Sequence, residues 1–471
     1  MNGRRTALSA IAVLVGLFVL VGAAAASISV SNSGIDSGSC GLPATPCRTI
    51  SQAIENASPG DTIWVAAGHY GDVTGNGSFS GPADEHASIV QSFGLAPFQG
   101  CIVCVSKPVH IYSVSGAAVT TIDSGPAPGV FNATVHITAD GAQFGSPGHG
   151  FTITGGNSIG VGVDLQDWMY SRTGMTIAGN RDLKDGVGFE VIGPEGCGLP
   201  GCICPPNAGV ICPPVGWYGS VNVSTNEAFG NGTGFDVKPR HAYGLGGPGT
   251  LQFLVRDNLA SGSGTGFNVE PGASECDGCL NGATAYEVAV IHNAASSNGV
   301  GFALTVAGGT FDNLATGNST TGFLVTEGGS AFKRNSAIGN GGPGVLLAVL
   351  AYNPVNLDSF AQNSFFDNDR HRPPLLPLLG LPAPPDPGPS AHCGVLNVGA
   401  VASYFWGEIP FLSYPPYPAV KLQASGNYWG SKQGPQPDGP GDTVGGICDQ
   451  NNATTSAQPF STNPANVIPV P

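Results

Sequence analysis

One repeat constrains this chain more than any other feature. A Gly-Phe pair recurs at Gly150-Phe151, Gly188-Phe189, Gly234-Phe235, Gly266-Phe267, Gly301-Phe302 and Gly322-Phe323, with Gly344-Val345 as a conservative further copy. An Asn precedes most of these Phe residues by nine or ten positions: Asn180, Asn226, Asn258, Asn293, Asn313 and Asn335. Five of those Asn are followed two positions on by Ala. The clearest copies, at Asn293, Asn313 and Asn335, are 20 and 22 residues apart. That is one coil of a β-solenoid, too short for a propeller blade, and no helical period lies between copies.

The alternation after each Gly assigns the faces. Phe and the residue two beyond it are apolar in every copy, from Phe151/Ile153 and Phe189/Val191 to Phe323/Val325 and Val345/Leu347. Period two places them on one face of a strand. A second inward-facing strand runs up to each Asn, as in Met175/Ile177, Val221/Val223, Phe253/Val255 and Val288/Val290. Stacked coils then put Phe on Phe and Asn beside Asn, and Asn ladders satisfy their own amides. The Gly before Phe is expected to supply a turn conformation closed to other residues.

Both ends fit a coil stack. Ile50, Ala53, Ile54 and Ala57 fall at helical spacing, which predicts a short capping helix before a strand over Thr62 to Ala66. Repeat proteins need such a cover on their open end. The segment CGLPATPCRTISQAIENASPGDTIWVAAGHYGD (Cys40 to Asp72) resembles the N-terminal cap and first coil of secreted pectin-lyase-like proteins. The segment SGNYWGSKQGPQPDGPGDTV (Ser425 to Val444) resembles the ending common in the same group. With the repeats between, the resemblance covers about residues 30 to 445. It implies an all-β fold, a right-handed parallel β-helix with an N-terminal capping helix. It does not select a function, because the fold hosts lyases, hydrolases, epimerases, adhesins and structural proteins.

Composition places the chain outside the cell. Arg4 and Arg5, an apolar run from Ala7, and small residues ending near Ala26 read as a secretory signal, with an uncleaved anchor as the alternative. Twelve cysteines suit an oxidising compartment. Cys40 and Cys47 flank a short loop, Cys101/Cys104 and Cys276/Cys279 form C-x-x-C pairs, and Cys393 and Cys448 are left for one another. The formal charge of −15 speaks against nucleic acid and anionic lipid as partners. The expected division is a signal peptide over 1–26, β-helix over 27–369, a Pro-rich insertion over 370–390, last coils and cap over 391–450, and a loose tail over 451–471.

Unequal coil lengths indicate where a site could lie. Asn180 to Asn226 spans 46 residues, Asn226 to Asn258 spans 32, and Asn258 to Asn293 spans 35. The extra residues fall after the Gly-Phe strand, at Gly193 to Trp217, Pro239 to Gly249 and Pro271 to Gly282, and would form a wall along one edge. Loops on a rigid scaffold carry function disproportionately. Outward residues beside that wall are polar: Glu190, Asp236, Lys238, Asn268 and Glu270. The loops add Arg240, His241, Trp217, Tyr218 and Tyr243. Later coils carry Ala303, Leu324 and Leu346 instead, as if covered.

Adjacent strands about 4.8 Å apart would bring the Glu190 and Asp236 carboxyls to the spacing of a retaining glycosidase pair, with Glu270 at the inverting spacing. Lys238 or Arg240 would neutralise a uronate or act as base. Carboxylates this close could instead bind calcium. Asn268, His241, Trp217, Tyr218 and Tyr243 suit sugar binding. The leading expectation is a secreted protein that binds an extracellular polysaccharide or cell-surface glycan or serves a surface structural role. A polysaccharide lyase or glycoside hydrolase on the same face is the alternative.

Gly148-His149-Gly150 matches a polygalacturonase element, but it fills the ordinary repeat slot and its partner motifs are missing upstream. Gly160-x-Gly162-x-Asp164 resembles a calcium-binding nonapeptide but occurs once. The sequons at Asn76, Asn132, Asn222, Asn231, Asn318 and Asn452 are the kind that Asn-rich repeats produce by chance.

Overall fold

A computed structural model of the chain describes residues 25–79, 81–88, 100–126, 132–156, 158–165, 174–193, 219–238, 250–269, 285–304, 309–326, 331–350, 359–369, 391–401, 420–450 and 452–464. At 219, 250, 251, 285–287, 349, 350, 400 and 401 the main chain alone is described. Residues 1–24 of the expected signal peptide, the Pro-rich insertion and nearly all of the three extended turns lie outside these residues.

Short strands with a strict inward/outward alternation cannot bury their apolar face alone, so they stack. Three long parallel sheets result, of eleven, ten and ten strands. One coil runs Met175–Ala178, Arg181–Leu183, then Val187–Ile192, and the chain returns at Gly219–Ser224 beside Met175–Ala178. Each coil thus gives one strand to each sheet. This is a right-handed parallel β-helix, the sense in which parallel crossovers pack back onto their sheet. The three-residue strands that begin just after each Asn, such as Arg181–Leu183, form a third sheet that the hydrophobic pattern did not announce.

The core is ordered by columns. Phe189, Phe235, Phe267, Phe302 and Phe323 pair in register. Their rings stack with centroids 4.7 to 4.9 Å apart and nearly parallel planes. Each is essentially fully buried, worth about 1.5–3 kcal/mol per ring in transfer terms. Phe151 departs from the expected column. It stacks on Phe144, and its neighbour Ile153 pairs with Asp182 in the short-strand sheet. Val161 takes the corresponding place beside Phe189.

The glycine before each Phe has a different cause from the one expected. Gly188, Gly234, Gly266, Gly301, Gly322 and Gly344 do not have positive φ. A Cβ on Gly234 would lie 2.6 Å from the Gly266 carbonyl oxygen and 3.0 Å from Ala260 Cβ. Gly is required because the Phe-bearing sheet and the Ala column close on one another there. The left-handed turns fall instead on the residue before each Asn: Asp257, His292, Asp312 and Arg334 all have φ of 56 to 59°.

Two Asn ladders run down the helix. In the first, each Nδ2 from Asn180 through Asn226, Asn258, Asn293, Asn313, Asn335 and Asn363 donates to the next Oδ1 at 2.9 to 3.3 Å, ending on Asn427. The second begins five residues later in each coil and links Asn298, Asn318, Asn340 and Asn368. It ends on Asp442, whose Oδ2 accepts from Asn368 Nδ2 at 3.0 Å. Burial pushes the Asp442 carboxyl up to about 6. Asn231 and Asn318 are buried, Asn318 within this second ladder, so their sequons cannot carry glycan in the folded protein.

The caps have physical roles. The helix Ile50–Asn56 is N-capped by Thr49, and the buried Glu85 carboxylate accepts from the Ile50 and Ser51 backbone N–H groups. At the other end Asn427 and Asp442 terminate the two ladders while Trp429, fully buried, meets Phe365 at 5.2 Å and closes the core. Disulfides join Cys40–Cys47, Cys101–Cys104 and Cys393–Cys448. Among the described residues no helix is long and apolar enough to cross a membrane.

Candidate functional site

Phe189 and Val191 point inward, so the pleat sends Glu190 outward, and the same parity governs the whole Phe-bearing sheet. Its register sets one outward row: Cys104, His136, Gly162, Glu190, Asp236, Asn268, Ala303, Leu324, Leu346 and Leu396. A second outward row, two residues on, contains Asp164, Ile192 and Lys238.

These rows assemble a compact ionic cluster. Lys238 Nζ lies 2.8 Å from Glu190 Oε1 and 2.6 Å from Asp236 Oδ2. Asn268 Nδ2 donates to Asp236 Oδ1 at 3.1 Å. Although outward-facing, the Glu190 and Asp236 side chains are only 5% and 6% exposed, against 23% for Lys238. Glu190 Oε2 is buried and accepts no hydrogen bond among the described residues. One neighbour of Glu190 along the row is Gly162, which has no side chain to offer.

Electrostatics decides what Lys238 can do. Burial pulls its proton affinity down, but Asp236 and then Glu190, by charge and by hydrogen bond, outweigh burial and hold the ammonium above the ordinary lysine range. Held protonated, Lys238 is a fixed donor and not a proton acceptor near neutral pH. It stands where a calcium ion bridging the two carboxylates would stand. Two of its three N–H bonds are used by these carboxylates, leaving a third for a ligand.

Of the residues expected to form the site, the structure brings Glu190, Asp236, Lys238 and Asn268 together. Glu270, Arg240, His241, Trp217, Tyr218 and Tyr243 lie outside the described residues, as does the wall expected to carry them. The sequence reading did not single out His136, 2% exposed and in the same row as Glu190 with Gly162 between them. The signal was present, since Val135 and Ile137 face inward and alternation sends His136 outward.

The late half of the row is covered, as its composition suggested. Ala303, Leu324, Leu346 and Leu396 are 8%, 3%, 2% and 0% exposed. They form a second apolar cluster with Val300, Ala348, Ala391, Cys393, Val398 and Cys448, outside the coil interior.

No protein-family model matches the chain, and no curated protein is similar to it in sequence. Among solved structures, an alginate lyase from Paenibacillus sp. str. FPU-7 aligns over 69% of this chain and 93% of its own, at 11% identity and a TM-score of 0.26.

Proposed function

We propose that this is an exported β-helix scaffold that binds an extracellular glycan on the Glu190–Asp236–Lys238–Asn268 face. One observation carries the reading. A protonated, partly exposed Lys238 is clamped between two buried carboxylates, beside a Glu190 Oε2 that meets no donor among the described residues. A buried acceptor without a donor costs about 1–3 kcal/mol, and a ligand hydroxyl removes that cost. Sugar hydroxyls donate to Glu190 and accept from Lys238 at once. The three disulfides among the described residues agree with an oxidising, extracellular location.

The test is a glycan array followed by calorimetry on the purified mature protein and its Asp236→Asn and Lys238→Met variants. Saturable binding that both variants weaken about tenfold or more supports the reading, since each loses a charged hydrogen bond. Failure to bind any array component, together with free diffusion away from the cell, would sink it. A parallel reducing-sugar and unsaturated-uronate assay decides the lyase or hydrolase alternative. Turnover that vanishes in Asp236→Asn would replace the binding reading with that one.

A further inference from the structure

At the N-terminal end of the eleven-stranded sheet, a second outward surface carries chemistry that the ionic cluster does not use. Ile63, Val65 and Ile111 are fully buried, so alternation turns Trp64, His110 and Tyr112 outward, each partly exposed. Trp64 and Tyr112 pair directly across adjacent strands, with ring centroids 5.4 Å apart and planes tilted by 47°. The exposed His149, from the Gly-His-Gly segment, meets Trp64 edge-on at 5.7 Å. These rings therefore do not stack flat on one another as the interior Phe rings do, and ring surface remains on offer.

Polar groups rim the rings. Tyr112 Oη donates to Gln143 Oε1. His149 Nδ1 lies 3.0 Å from the Ser113 carbonyl oxygen, so in the neutral ring Nδ1 donates and Nε2 is left as an acceptor. Trp64 Nε1–H donates to no group among the described residues. An aromatic face ringed by one spare donor and one spare acceptor matches a pyranose. Its C–H face lies on a ring while its hydroxyls both donate and accept. A stacked nucleobase strand is disfavoured, because such sites add a basic track and this chain carries −15. Among the described residues, the cation–π contacts fall on Phe229 and Phe311, not on these rings.

We propose that Trp64, Tyr112 and His149 form a second glycan-binding site, taking one neutral pyranose unit of a polysaccharide on the Trp64 and Tyr112 rings. It lies on a different sheet from the ionic cluster and stands or falls separately from it.

The experiment is calorimetric titration of the mature protein with neutral β-1,4-glucan, β-1,3-glucan and β-1,4-mannan hexasaccharides. The variants are Trp64→Ala, Trp64→Phe, His149→Ala and Asp236→Asn, with circular dichroism and thermal unfolding to confirm the fold. The expected result is saturable binding of at least one hexasaccharide, weakened about tenfold or more by Trp64→Ala. Trp64→Phe and His149→Ala should weaken it less. Binding unaffected by Trp64→Ala, or no binding of any hexasaccharide, overturns the site. Binding lost only in Asp236→Asn also overturns it, while upholding the ionic cluster. Should Trp64→Ala fail to fold, an unchanged affinity in both Trp64→Phe and His149→Ala overturns it.

Discussion

Glu190 and Leu346 occupy the same outward row of the same sheet, five strands apart, and both are buried. The means of burial differ. Glu190 and Asp236 tolerate it by sharing the Lys238 ammonium. Leu346 is packed among Leu324, Leu396 and the Cys393–Cys448 bridge. Inside the helix the same columns repeat past both regions without change of chemistry. The interior therefore specifies the coil, and the exterior row is free to differ because only its covering constrains it.

Leu346→Asp should break the distinction most severely. It places an unpaired carboxylate in a dry cluster, and the expected loss is about 3–5 kcal/mol, read as a drop in the thermal unfolding midpoint. A variant as stable as the parent would show that the late row is wet rather than packed. Lys238→Met probes the polar half and should cost about 3 kcal/mol at neutral pH, because it removes the cation that two buried carboxylates share. An unfolding midpoint equal to the parent's would mean that other groups hold the carboxylates.

Asp182→Ala should have the smallest effect and the opposite sign. Asp182 occupies the inward column that Ala228, Ala260, Ala295, Ala315 and Ala337 fill in later coils. Burial first, and then the Asp185 charge, hold its carboxyl well above the usual value. With the folded value raised, its contribution is intact below the unfolded pKa and is lost as pH rises through the folded one. Alanine should therefore gain about 1–2 kcal/mol at pH 8 and almost nothing at pH 3. An equal shift at both pH values would remove the titration from the account.

Much of this was legible in the chain because a solenoid writes its columns directly into the sequence. The Phe stack, the first Asn ladder, the capping helix and the covered late row follow from spacing and alternation. The second ladder was equally visible as an Asn five residues after the first, at Asn293/Asn298, Asn313/Asn318, Asn335/Asn340 and Asn363/Asn368, but Asp185 and Ser263 interrupt it. The role of the Gly before Phe was not legible. Turn conformation and close approach both select glycine, and only the Gly266 carbonyl above Gly234 separates them. The Lys238 clamp needed the coil-to-coil register, since Lys238 pairs with Ile192 yet reaches diagonally back to Glu190.

The ladder bonds also bear on how such a chain can change its length. Every rung between Asn226 and Asn363 gives to one neighbour and receives from the other, so removing one whole coil leaves the remaining rungs with the same number of partners. Removing the stretch around one Asn without the rest of its coil leaves an amide facing a carbonyl that is no longer there. Gene-level duplication or loss of a rung is thereby confined to whole coils, such as the 20 and 22 residues that separate Asn293, Asn313 and Asn335, while the turns between rungs vary in length, as the 46 residues from Asn180 to Asn226 show. At the C-terminal end Asn427 and Asp442 stop the ladders, because each receives from its ladder without passing a bond to a further rung. A lineage could lengthen or shorten the rod between fixed ends while leaving its terminators untouched.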